Sequence, residues 1–74
     1  MDVMQQAARN IRLFRNEAGL SQEALAHHCG VHRTYISMVE RCQRNFSVKT
    51  LGKIAKALDV PAWKLLHDDP RALK

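Results

Sequence analysis

From Val3 to Leu66 the apolar residues return every three or four positions, and each break between runs carries a glycine, a proline or a residue suited to capping a helix. No stretch alternates apolar and polar residues as a half-buried strand must. The pattern therefore confines the chain to short helices packed on one another, an all-α fold. Over residues 3–18 a stripe runs through Met4, Ala8, Ile11, Phe14 and Ala18, with Asp2 placed to cap the start and Gly19 to end it. Ser21 then opens a second helix over residues 22–28, and Leu20 and Leu25 have the spacing of a hydrophobic staple. Gly30 falls where a sharp turn needs a left-handed backbone, which glycine adopts at least cost.

A third helix over residues 33–41 turns Tyr35, Ile36 and Val39 inward and leaves Arg33, Thr34, Ser37 and Met38 on its other side, with His32 in the capping position. A loop follows at 42–46, holding Arg44 and Asn45, and Ser47 starts a fourth helix whose Leu51, Ile54, Ala55 and Leu58 form the inner stripe. Its far side carries Lys49, Lys53 and Lys56. Lys49 lies in the first turn, where the helix dipole disfavours a cation, and a bound phosphate would remove that conflict. Pro61 suits the first turn of a fifth, short helix that bears the apolar load of Trp63, Leu65 and Leu66, and residues 67–74 read as a polar, fraying tail.

Composition decides what such a domain meets. Twelve Lys and Arg against seven Asp and Glu give a formal charge of +5, which points to a polyanion. The cations are spread over several helices and do not back a single apolar face, so nucleic acid is favoured over a membrane surface. No apolar run reaches the roughly 20 residues of a bilayer span, and the N-terminus lacks the order of a secretory signal, so the expected location is cytoplasmic. With 5% aromatic residues the core must be aliphatic. A chain of this size buries only about 60–65% of its unfolded surface, and a second copy would help it. Cys29 and Cys42 are read as reduced thiols. His27, His28 and Cys29 are adjacent on a helix and point apart, so no metal site is expected. No nucleophile and base can be paired, so no catalytic residues are expected, nor a cofactor. So short a chain leaves little room for a pocket, and no small-molecule ligand is expected.

The stretch 22–41 joins a small Ala26, the Gly30 turn and the inward Ile36 and Val39, the pattern of a helix-turn-helix in which Ala26 lets two helices cross closely. With GLSQEALA, GVHRTYISMVER, RN and TLGKIAKALDV in order, residues 9–66 resemble the Cro/repressor-type (Xre-like) family of DNA-binding domains. Within it, GVHRTYIS and the following VER, Q and RN are similar to the controller proteins of restriction-modification systems.

The resemblance implies one compact five-helix domain over residues 1–74, like the lambda-repressor domain, that regulates transcription in a bacterial or phage setting at the nucleoid. It implies a homodimer on an inverted-repeat operator of double-stranded DNA, with RNA polymerase as a further partner. The third helix would lie in the major groove, so that Arg33, Thr34, Ser37 and Met38 meet base edges. Gln22, Tyr35, Arg44, Asn45, Ser47, Lys49 and Thr50 would meet phosphates, Tyr35 being half in the core with its hydroxyl available. Arg15 and Glu40 match an ion pair between the first and third helices. Val60, Trp63 and Leu66, within a segment over 58–66, would form the dimer contact, the alternative being that Trp63 and Leu66 complete the monomer's core. Arg9 and Arg12 are phosphate contacts or plain surface. Two readings compete with the controller: an antitoxin-type module that masks a partner and binds DNA secondarily, and a phage-type repressor. The chain departs from the family at three places: Cys42 stands where a helix-ending glycine is usual, Phe46 replaces a common proline, and Gly52 interrupts the fourth helix.

Overall fold

The computed structural model describes residues 2–73, the last by its backbone only, and contains five α-helices among them. These are α1 (Val3–Glu17), α2 (Gln22–Cys29), α3 (Arg33–Glu40), α4 (Val48–Leu58) and α5 (Ala62–Leu66), followed by a 3-10 helix, Pro70–Leu73. The caps fall where side-chain chemistry puts them. Asp2, Ser21 and Ser47 accept from the backbone N–H of Gln5, Ala24 and Thr50, relieving donors that the first turn of a helix cannot use. His32 occupies the cap of α3 without forming such a bond.

The helices surround one aliphatic core, in which Ile11, Leu25, Ile36, Val39, Ile54 and Leu65 are fully enclosed and Leu51, Ala55 and Leu58 complete the α4 stripe. α2 packs on α3 and α4, while α1 packs on α5 and the back of α3. Phe14, Leu20, Tyr35, Phe46 and Val60 close the margins. Ala18, expected in the α1 stripe, is the exposed C-cap residue, and Ala7 takes a buried place in its stead. Cys29 lies in the core, where burial pushes its thiol above the ordinary value against a smaller pull from the Lys53 ammonium.

One closure ends each of the first four helices. After α1, α2, α3 and α4, two successive N–H groups turn back to the carbonyls of the last turn: Gly19 and Leu20 to Asn16 and Arg15, Gly30 and Val31 to His27 and Ala26, Cys42 and Gln43 to Val39 and Met38, Asp59 and Val60 to Lys56 and Ala55. The pivot has a left-handed backbone in every case, with φ of 72°, 69°, 57° and 58° at Gly19, Gly30, Cys42 and Asp59. Asp tolerates that region through its short polar side chain; Cys has no such help. The chain thus keeps the geometry at the end of α3 without the glycine that suits it. Cys42→Gly is expected to stabilise the fold by about 1 kcal/mol, raising the thermal midpoint by about 4–8 °C. A melt monitored by circular dichroism checks this, and an unchanged or lower midpoint would contradict it. Gly52 is different: it is exposed, open space surrounds the position of a Cβ, and nothing in the structure explains it.

The short α5 is held from across the fold. Asn10 on α1 is 1% exposed, and its Nδ2 donates to the carbonyls of Leu65 at 2.9 Å and His67 at 2.6 Å, groups that the end of a helix leaves without intrahelical partners. Beyond it the segment read as a fraying tail is docked on α1 over its described residues, 67–73, with Lys74 outside them. Arg71 bonds Glu17 at 3.1 Å and Asp69 at 2.8 Å, and its guanidinium lies 5.8 Å from the centre of the Phe14 ring. Hydrogen bonds from the side chain and then the backbone of Arg71 hold the Asp69 carboxyl down to about 2. The polar composition of the segment concealed this, because a charged residue looks solvated until its partners on another helix are known.

Candidate nucleic-acid interface

At 100° per residue, positions 33, 34, 37 and 38 of α3 and its C-cap residue 41 span an outward arc of roughly 140°, and 35, 36, 39 and 40 fill the opposite arc. The burial follows this division. Ile36 and Val39 are enclosed, Arg33, Thr34 and Arg41 are exposed, and Ser37 and Met38 are half-buried at the base of the outer face. The guanidinium and hydroxyl expected to meet bases therefore project furthest, with Ser37 and Met38 in a shallower second rank. Tyr35 lies at the boundary, half-buried against the core, with the Arg44 guanidinium 5.7 Å from its ring centre. That contact draws the 42–46 loop back toward α3.

Behind this face the helix is anchored by charge. Arg15 Nε donates to Glu40 Oε2 at 2.6 Å and Nη2 to Oε1 at 3.1 Å, a two-pronged pair whose side chains are 12% and 2% exposed. Arg15 Nη1 also donates to the Leu20 carbonyl at 2.8 Å, and Gln22 Nε2 donates to Glu40 Oε1 at 3.2 Å. One carboxylate thereby ties α1, the first residue of α2 and the last of α3 together. The expected Arg15–Glu40 pair is present. Gln22, expected to meet phosphate, has its side-chain amide donating into that network.

The remaining phosphate candidates gather at the start of α4. Asn45, Ser47 and Lys49 are exposed, while Thr50 is half-buried with its hydroxyl 3.1 Å from that of Ser47. Val48 and Lys49 occupy helical positions whose N–H groups have no preceding carbonyl to receive them, so backbone donors and the Lys49 ammonium meet at one helix N-terminus. On another side, Trp63 is 60% and Leu66 41% exposed, whereas Leu58 and Leu65 of the same segment are core residues and Val60 is half-buried against them. Trp63 and Leu66 thus do not complete the monomer's core. The Trp63 ring meets His67 edge-on, with centres 6.1 Å apart. Among the described residues there is no cluster of three His, Cys, Asp or Glu side chains placed to hold a metal, and no helix is long and apolar enough to cross a membrane.

Residues 11–62 match the helix-turn-helix family model. The chain is 50% identical over 66 residues to control protein C.SmaI of Serratia marcescens, covering 89% of this chain and 79% of that protein. The crystal structure of a hypothetical transcription factor from Neisseria superposes with a TM-score of 0.90 at 44% identity, covering 97% of this chain and 83% of the other. That of the restriction-modification controller protein C.AhdI from Aeromonas hydrophila superposes with a TM-score of 0.81 at 40% identity, covering 84% and 94% respectively. The outward arc of α3, the anchored helix pair and these likenesses agree: the chain belongs to the helix-turn-helix family of DNA-binding transcription regulators, in its Xre-like branch, and resembles the controller proteins of restriction-modification systems.

Proposed function

We propose that the protein is a controller-type regulator that binds an inverted-repeat operator as a homodimer, one α3 per half-site. The observation that carries this reading is the division of α3, with a buried and ion-paired back fixing an outer face that presents Arg33 and Thr34. Arg33 gives bidentate hydrogen bonds to guanine, and Thr34 offers a hydroxyl or a methyl contact with thymine. Asn45, Ser47, Lys49, Thr50 and Arg44 position the domain on the backbone without specifying sequence. The exposed Trp63 and Leu66 form the symmetric contact. Half-sites then lie about 34 Å apart, or a multiple of it. Occupancy follows concentration through dimerisation, the DNA is in the bacterial cytoplasm, and RNA polymerase is the protein met at a promoter.

Selection of bound sites from random duplexes tests the symmetry: recovered sequences without an inverted repeat would overturn the reading. Substitutions then separate the two kinds of contact. Arg33→Ala is expected to lose about 1–3 kcal/mol of discrimination at one base position of each half-site. Lys49→Ala is expected to weaken all duplexes alike and lower the salt slope by about one counterion. Binding titrations over an operator series at several salt concentrations check both. Unchanged preference in the first variant, or altered preference in the second, would remove the residue from its role.

A further inference from the structure

The last turn of α2 and the second half of α4 enclose an open cleft of about 590 Å³ that the proposed DNA contacts do not use. His27, His28, Gly30, Lys53, Lys56 and Ala57 line it, beside the buried Cys29, and none of its lining residues is acidic. Lys53 and Lys56 are three residues apart and so lie on one face of α4, while the two imidazoles stand edge to face with centres 6.1 Å apart. The carbonyls of Ala26 and His27, which would repel an anion at this helix end, are taken up by the N–H groups of Val31 and Gly30. The cleft therefore carries the Lys53 and Lys56 ammonium groups with no carboxylate among its lining side chains. Its volume exceeds what one phosphate or carboxylate fills.

Gln22, Arg33, Thr34, Ser47 and Lys49 stand at the N-termini of α2, α3 and α4, and a rise of 1.5 Å per residue puts Lys53 about 6 Å and Lys56 about 10 Å along α4 from Lys49. We propose that the cleft docks an acidic polypeptide segment of another protein, carrying several carboxylates in extended conformation, while DNA occupies the opposite ends of the helices. The charge complementarity stands on its own; only the claim of simultaneous binding rests on the DNA-facing reading above.

The test titrates a deca-glutamate peptide into ¹⁵N-labelled full-length protein already saturated with a 20-base-pair duplex, followed by amide spectra. The expected result is a ternary complex in which the amides of His27, His28, Gly30 and Ala57 shift and those of Arg33, Thr34 and Lys49 keep their duplex-bound positions. The double variant Lys53→Gln, Lys56→Gln, both at exposed positions, should bind the peptide at least tenfold more weakly and the duplex within twofold of the parent. No shift at the cleft, or displacement of the duplex by the peptide, overturns the proposal. Loss of duplex affinity in the double variant does so too, and assigns the cleft to DNA. A failure of the operator selection leaves this measurement intact, since any duplex serves.

Discussion

Glu40→Ala should lower the free energy of unfolding by about 3–5 kcal/mol, the cost of leaving a buried cation without its partner. The side chains of Arg15 and Glu40 are 12% and 2% exposed, so the stranded guanidinium would keep only its bond to the Leu20 carbonyl. Gln22 would lose its link to α3 in the same step. A domain of this size holds about 4–11 kcal/mol in all, so the variant should be partly unfolded at 37 °C. Urea denaturation of parent and variant gives the difference. A cost below 1 kcal/mol would show that the pair behaves as an exposed one and that solvent reaches it. The double variant Arg15→Met, Glu40→Leu, which removes both charges and fills their volume, should recover most of the loss. It should not recover sequence discrimination in full, because the hold on Gln22, and through it on the start of α2 against α3, is gone.

That network was legible only in part from the sequence. Resemblance to similar repressors suggested Arg15 and Glu40, and the structure supplies the two-pronged geometry and the place of Gln22 in it. The all-α class and the inner stripe of α4 were readable because a 3.6-residue period and N-cap preferences act within a few residues of chain. What escaped was nonlocal. Asn10 on α1 bonds a carbonyl 55 positions away, and Arg71 reaches Glu17 across 54. No local pattern encodes such a partner. Cys42 is intermediate: the sequence marked a missing glycine, and the φ of 57° within the regular closure shows that the left-handed geometry is kept without it. Of the residues expected at bases and at the dimer contact, Arg33, Thr34, Trp63 and Leu66 are exposed, while Ser37, Met38 and Val60 are half-buried.

Trp63 is where that accessibility has its largest consequence. Its indole is 60% exposed beside Leu66 at 41%, while Leu65 between them in the turn is fully buried, so α5 holds its place in the monomer without the two outer side chains. Trp63→Lys should therefore leave the monomer folded, with a thermal midpoint at low concentration within a few degrees of the parent's. In the proposed dimer a tryptophan at the centre of the symmetric contact contributes about 2–4 kcal/mol, so the dissociation constant should rise by about 30- to 1,000-fold. Because each dimer contains two copies of the change, and the two lysines would face each other across the axis, the upper part of that range is expected. Sedimentation equilibrium across a concentration series measures it directly. On DNA the same variant should lose the steep concentration dependence of a preformed dimer and fill half-sites one at a time, at concentrations where the parent occupies both. A variant that remains dimeric with an unchanged constant would move the symmetric contact away from α5. The exposed indole would then have to be accounted for by a different partner.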